Sequence, residues 1–420
     1  MFKKIVAIAA IFTSTTLAIA PLLAKTPPSS SPKNLVDEVW QIIDRTYVDP
    51  AFNHQDWQAV RREYLSRTYT SKLAAYQAID TMVAKLGDRY TSFFNPQEYQ
   101  ALNNDIDGQI SGVGVKIAIE RKTNTLIAIS TIDGSPAAKA GILPNDIILK
   151  VNDRSTKQMK IEDVSKAIMG AVGTTVKLTV QRGSQVKTFT ITRAKINSNP
   201  VTYSIRSTAT GKIGYIRLPE FTKTAPSQMA SAIRSLEQQQ VRGYVLDLRD
   251  DPGGLVTASV DIANMWLKKG GIVSLIDRHQ AKESYESAGH PLTDKPLVVL
   301  VDRNSASASE ILAGALQDDN RATLVGTRTF GKGVVQSVRQ LSDGSALKVT
   351  VAKYYTPKGR NINHIGIEPD VAADLSDKQL NALIHDRTAG TLVDSQYVTA
   401  VADLDRSIQT QASQSQLPTQ

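Results

Sequence analysis

Pro296-Leu-Val-Val-Leu-Val301 runs into Asp302-Arg-Asn-Ser-Ala-Ser307-Ala-Ser-Glu310 and then into Ile311-Leu-Ala-Gly-Ala-Leu316, and the whole stretch reads strand, turn, helix. An apolar run of β-formers ends in a short polar loop. The segment after it carries Ile311, Leu312, Ala315 and Leu316 on one helical face. A serine at such a corner lies beside the unpaired N–H groups of the helix start, a place suited to stabilising an oxyanion. Ser307-Ala-Ser-Glu310 also fits a capping box, and most serines at helix starts are only caps. On its own the corner leaves Ser307 two roles, nucleophile or cap.

Around this corner, strands and helices alternate from about residue 200. Ile213-Gly-Tyr-Ile-Arg-Leu218 is a strand, and residues 225–239 form a helix with Met229, Ile233 and Leu236 inward. Tyr244-Val-Leu-Asp-Leu-Arg249 is nearly all apolar, as expected of a strand covered on both faces, and runs into Asp250-Asp-Pro-Gly-Gly254. A helix over Leu255–Leu267, strands at 272–276, 297–301 and Thr323–Gly326, and a β-rich stretch from Ala346 to Tyr355 complete an α/β sheet with helices against it. Upstream, Leu35, Val36, Val39, Trp40 and Ile43 share a helical face, as do Trp57, Val60 and Tyr64, and then Tyr76, Ile79, Val83 and Leu86. Three short helices bury little alone, so this region is expected to pack on something larger.

Between these parts the texture changes to short strands. Gly112-Val-Gly-Val115, Gly134-Ser-Pro-Ala-Ala-Lys-Ala-Gly-Ile142 and Asp146-Ile-Ile-Leu-Lys-Val-Asn152 resemble a PDZ domain in the circular arrangement found in exported proteases. PDZ domains bind extended peptides by strand addition and capture a terminal carboxylate on loop N–H groups. The resemblance assigns that loop to Gly112, Val113, Gly114 and Val115, although the glycines would equally shape a tight strand entry.

The chain has 420 residues, 41% apolar and 21% charged, which allows two or three domains and excludes global disorder. The net charge of +9 is scattered and no basic run is interleaved with aromatics, so nucleic acid is not an expected partner. Cysteine is absent, which removes thiol catalysis, disulfides and thiolate metal sites. Met1-Phe-Lys-Lys4, the largely apolar run Ile5–Ala20 and small residues up to Ala24 have the layout of a secretory signal peptide; an uncleaved anchor is the alternative. The expected organisation is α/β and multidomain: 1–24 signal peptide, 25–33 linker, 34–98 helical region, 103–195 PDZ-like insert, 196–395 α/β core with its serine at a strand-to-helix turn, and 396–420 a Gln/Ser-rich tail expected to be disordered.

Three chemistries compete for the site. Gly326-Thr-Arg-Thr-Phe-Gly331-Lys332 satisfies a P-loop pattern, but Gly333 stands where a Mg²⁺-binding Ser or Thr belongs, and Val-Val-Gln-Ser-Val reads as extended. A Ser-His-Asp triad would need one of His54, His279, His290, His364 or His385, none in a recognisable triad setting. A Ser-Lys dyad needs a neutral lysine. At the reference pKa only about one in 2,500 is neutral at pH 7, and a burial-driven drop of about three units removes most of that deficit. Lys332, between two glycines and followed by Val334 and Val335, fits such a desolvated site, with Gln336 placed to orient the amine by its side-chain oxygen.

Asn304-Ser-Ala-Ser-Ala-Ser-Glu-Ile-Leu-Ala-Gly-Ala-Leu316 together with Thr329-Phe-Gly-Lys-Gly-Val-Val-Gln336 closely resembles the carboxyl-terminal processing proteases, serine endopeptidases with an embedded PDZ domain and a Ser-Lys-Gln site. The resemblance implies Ser307 as nucleophile, Lys332 as base and Gln336 as orienting residue. It implies an oxyanion hole from the N–H of Ala308 and one from Gly253 or Gly254, and no metal or cofactor. Asp251 stands where many relatives have Asn, and no role follows for it. Leu35–Tyr47 and Leu86-Gly-Asp-Arg-Tyr-Thr-Ser-Phe-Phe94 look most like the photosynthetic branch. That likeness implies as partner the photosystem II reaction-centre precursor, cut at its C-terminal extension by a soluble enzyme in the thylakoid lumen or periplasm. The alternatives are a general periplasmic processing protease and a non-catalytic PDZ adaptor.

Overall fold

Tyr244–Asp247 and Leu297–Val301 are buried at every position, and they lie at the centre of a six-stranded sheet. The computed structural model in which this is seen describes residues 31–120, 123, 125–132, 134–157, 159–197, 201–376, 379 and 389–415. The expected signal peptide and His385 lie outside the described residues. The strand order is Thr202–Thr208, Gly211–Arg217, Tyr244–Asp247, Leu297–Val301, Thr323–Gly326, Val371–Ala372. The first two strands pair antiparallel and every later pair is parallel. Alternate residues of each strand feed opposite faces. Ile216, Leu246, Val299 and Leu324 pack with Met229, Ile233, Ile262 and Leu312 from the helices Ala225–Gln238, Val256–Asn264 and Ala308–Asp318.

The opposite face corrects one expectation. Ser395–Ser415 is a helix, where the sequence reading gave a disordered Gln/Ser-rich tail from 396. Tyr397, Ala400, Leu404 and Ile408 recur at spacings of three and four and close over Ile213, Val245, Val298, Leu300 and Val325. Gln409, Thr410, Gln411, Ser413 and Gln414 are exposed, so the composition hid an amphipathic helix. Its start is fastened by Arg249, which donates to Asp247, Asp394 and Gln396.

A second, antiparallel sheet is built around Ala346–Tyr355, which pairs with Ser92–Phe94, Gly271–Asp277 and Val334–Gln340. The helices Pro32–Thr46, Trp57–Ser66 and Lys72–Ala84 share one core with Leu347 and Val349 of this sheet and with Leu341 in the turn after Val334–Gln340. The helix Pro96–Ile106 was not anticipated, although Asn95 and Glu98 form a reciprocal capping box with Pro96 in the first turn.

The PDZ-like block has a core of its own, centred on Ala128, Ile148, Leu178 and Val180. Its main sheet runs Val115–Glu120, Thr125–Thr131, Ile147–Val151, Thr175–Arg182, Gln185–Thr192. The entering strand Gln109–Gly112 pairs with the leaving strand Ala194–Asn197, so the block hangs on two adjacent strands. Among the described residues no helix is long and apolar enough to cross a membrane.

Candidate active site

The corner after Leu297–Val301 is made by Asp302. Its Oδ1 accepts the N–H groups of Asn304 at 3.0 Å and Ser305 at 3.0 Å, which ends the strand and turns the chain. Ser305 is spent structurally: its hydroxyl donates to Leu248 O at 2.8 Å and accepts from Asp302 N–H. Ser307 has φ 56° and ψ −113°, a conformation that costs a non-glycine residue about 1–3 kcal/mol and persists only where its surroundings impose it. Here they do. Ala306 N–H donates to Asp251 O, Ser309 N–H to Ala306 O, and Ser307 N–H to Glu310 Oε2. The corner presents Ser307 at the start of Ala308–Asp318.

Glu310 does more than cap that helix. It is fully buried, and its Oε2 accepts the N–H of Ser307 and the N–H of Lys332, both at 2.9 Å. Its Oε1 accepts the Thr329 hydroxyl at 2.6 Å and Gly331 N–H at 2.8 Å. One carboxylate thus ties the serine loop to the Thr329–Gly333 loop. The sequence carried Glu310 only as a capping residue; nothing in its local spacing signals the second set of donors.

The Gly-Lys-Gly loop lies flat against residues 361–367. A Cβ on Gly331 would stand 2.9 Å from the N of Gly366, and one on Gly333 2.7 Å from the N of Asn363. His364 is a loop residue here, its N–H donating to Gly331 O. Burial pulls the Lys332 ammonium below the usual lysine range, and Lys348 and Arg89 push the same way, with Glu310 and Asp88 opposing. Lys332 Nζ lies 5.0 Å from the centre of the Tyr90 ring. Gln336 follows a register shift in the strand Val334–Gln340, and its buried Nε2 has no hydrogen-bond partner. No hydrogen bond among the described residues joins Ser307 Oγ, Lys332 Nζ and the Gln336 side chain. The structure therefore gathers Ser307 and Lys332 onto one carboxylate without closing a Ser-Lys contact.

The Pro-Gly-Gly turn sits directly on the serine. A Cβ on Gly253 would stand 2.6 Å from Ala306 O, 2.8 Å from Ala308 N and 2.8 Å from Ser307 Cβ, and one on Gly254 would stand 2.4 Å from Phe221 O. Both have positive φ, 102° and 143°. Gly253 N–H is taken by Asp251 Oδ1 at 2.8 Å. The N–H groups of Ala308 and Gly254 meet no acceptor among the described residues. Both donors are open beside Ser307.

In the PDZ-like block, Gly112 ends its strand, and Val113 is buried in the local core with its carbonyl accepting Ala137 N–H. Gly114 has φ 77°, and a Cβ there would meet Ser135 Cβ at 2.4 Å. Val115 opens an edge strand, Val115–Glu120, whose outer side has no strand neighbour among the described residues.

A cavity of about 950 Å³ lies behind the serine corner, and Ser307 does not line it. Arg217, Arg249, Asp302, Asn304 and Arg328 line it.

Residues 212–373 match the model of peptidase family S41, residues 129–182 a PDZ domain, and residues 31–70 the C1 domain of tricorn protease. A carboxyl-terminal-processing protease of Synechocystis sp. is 42% identical over 341 residues, 80% of this chain and 80% of that protein. The chloroplastic carboxyl-terminal-processing peptidase 3 of Arabidopsis thaliana is 42% identical over 349 residues, 80% of this chain and 67% of that one. The solved photosystem II D1 C-terminal processing protease superposes with a TM-score of 0.59 at 36% identity, covering 87% of this chain and 99% of that chain.

Proposed function

The chain belongs to peptidase family S41, and from that premise we propose that it is a C-terminal processing serine endopeptidase in which Ser307 is the nucleophile and Lys332 the general base. The observation that carries this reading is the Glu310 clamp. A buried carboxylate receiving the N–H of both Ser307 and Lys332 fixes the two loops against each other. Positioning of this kind is what a dyad without a third charged partner requires.

In the proposed cycle Ser307 Oγ attacks the scissile carbonyl as Lys332 Nζ takes the hydroxyl proton. The tetrahedral oxyanion receives the N–H groups of Ala308 and Gly254, worth about 3 kcal/mol each in the transition state. Gly253 contributes by its missing Cβ, which lets the turn approach the serine. Lys332 returns the proton to the leaving amine, then activates the water that hydrolyses the ester on Ser307. Gln336 orients the lysine amine by its side-chain oxygen.

The PDZ block (129–182 within the insert 103–195) would hold the substrate's nonpolar C-terminus. Its carboxylate would sit on the backbone of Gly112–Val115, and its chain would extend along the edge strand Val115–Glu120. The relatives named for photosystem II D1 and for chloroplast processing favour a reaction-centre precursor as substrate, with the enzyme exported to the thylakoid lumen or periplasm. Incubation with a D1-precursor C-terminal peptide, with products weighed by mass spectrometry, tests this. One cut upstream of the C-terminus is expected. Binding without cleavage would favour the adaptor reading, and indiscriminate cutting of unrelated C-termini a general processing protease.

A further inference from the structure

Asp251 precedes the Pro-Gly-Gly turn and is fully buried. Its backbone carbonyl accepts Ala306 N–H and the Ser309 hydroxyl, both at 2.9 Å, and so holds the two residues that flank Ser307 and Ala308. Its side chain accepts Gly253 N–H through Oδ1, while Oδ2 is buried and has no hydrogen-bond partner. Gly254 N–H, open like that of Ala308, is the next peptide along. A carboxylate whose second oxygen is buried and unpaired is strongly disfavoured; a neutral acid of the same shape costs far less. Ionised, that group would set a negative charge immediately behind the place where the reaction develops one.

On the reading of Ser307 and its oxyanion donors given above, we propose that Asp251 is a positioning residue that serves the enzyme only as the neutral acid: it fixes the Gly253–Gly254 turn so that Gly254 N–H faces the oxyanion, and its ionisation switches that site off. The charged groups that face it are Glu220 and Arg217, on the segment leading to Phe221. From the helix Ala308–Asp318 it meets Ser309, and from the serine loop the backbone of Ala306. Burial pushes its carboxyl well above the usual carboxylate range; the Gly253 N–H, the Ser309 hydroxyl and Arg217 work against this, and Glu220 adds to it. The sign follows. Below the raised pKa the acid is neutral and the oxyanion site works; as pH rises through it, the charge appears and turnover falls. This loss runs opposite to the gain from deprotonating Lys332, so the two limbs together form a bell.

The test is the ratio of kcat for Asp251→Asn to kcat for the unsubstituted enzyme, measured on one peptide across pH, where the Lys332 limb divides out. Asn has the shape of the neutral acid and cannot ionise. The ratio is expected to stay within a few-fold at low pH and to climb at alkaline pH by on the order of tenfold, with KM little affected. Asp251→Ala, which leaves the Gly253 N–H unpaired, is expected to lower kcat at every pH. A ratio that stays flat across pH would overturn the proposal. Should D251N fail to fold, Asp251→Ser, equally unable to ionise, gives the same comparison. Ser307→Ala is run alongside: if it keeps normal turnover the whole reading of the site fails, whereas a dead S307A with a flat D251N ratio removes only Asp251.

Discussion

Removing the Glu310 side chain should separate its two jobs. In Glu310→Ala the N–H groups of Ser307, Gly331 and Lys332 and the Thr329 hydroxyl lose their acceptor inside the protein. A buried donor left unpaired costs about 1–3 kcal/mol, so three N–H groups amount to roughly 3–6 kcal/mol once water entering the cavity restores part of the loss. That is at the upper edge for a single substitution. Glu310→Gln is the informative partner. The Thr329 hydroxyl can reverse and accept from the new amide, which leaves its own proton and Gly331 N–H without an acceptor, while the amide oxygen keeps the Ser307 and Lys332 N–H groups. The expected stability loss is then about 2–4 kcal/mol, from two orphaned donors one of which is a hydroxyl free to rotate. Urea unfolding gives the stabilities, and steady-state kinetics on a C-terminal peptide give kcat and KM. E310A, measured well below its unfolding midpoint, should lose at least 100-fold in kcat with KM little changed, and E310Q less than tenfold. A folded E310A with kcat within threefold of the unsubstituted enzyme would refute the clamp.

Three further outcomes follow. Lys348→Met removes a positive charge that helps hold Lys332 low, so Lys332 keeps its proton to higher pH and the acidic limb of kcat/KM moves up in pH; an unmoved limb would contradict Lys332 as the titrating base. Gly253→Ala drives a Cβ into Ala306 O and Ala308 N, and should abolish turnover while circular dichroism stays native; normal turnover would mean that the turn does not serve the site. Leu404→Ala, at a fully buried position of the last helix, should cost about 2–5 kcal/mol in chemical unfolding, whereas a tail with no structural role would show no change.

Much of this molecule was legible because its elements carry local signals. The all-apolar Leu297–Val301, the capped helix after it and the alternation around them predict the sheet on which Ser307 sits. Gly253, Gly254, Gly331 and Gly333 were legible as places of close approach, but not what approaches; only the folded chain brings Ala306, Phe221 and residues 361–367 there. Glu310 shows the limit of local reading. Its bond to Ser307 N–H is a three-residue pattern, while its bonds to Thr329, Gly331 and Lys332 cross about twenty residues and have no spacing signature. Asp251 was visible only as an odd residue, since its burial and unpaired oxygen are properties of the packed turn. The last helix was missed for a different reason: Gln, Ser and Thr dominate its composition, and four apolar residues at helical spacing outweigh them.

The most direct test of the central claim is turnover of a C-terminal peptide by Ser307→Ala and Lys332→Ala, each checked for native circular dichroism and for unchanged peptide binding. Both variants are expected to bind the peptide and to lose at least 1,000-fold in kcat. Near-normal turnover by either folded variant would contradict the Ser-Lys assignment.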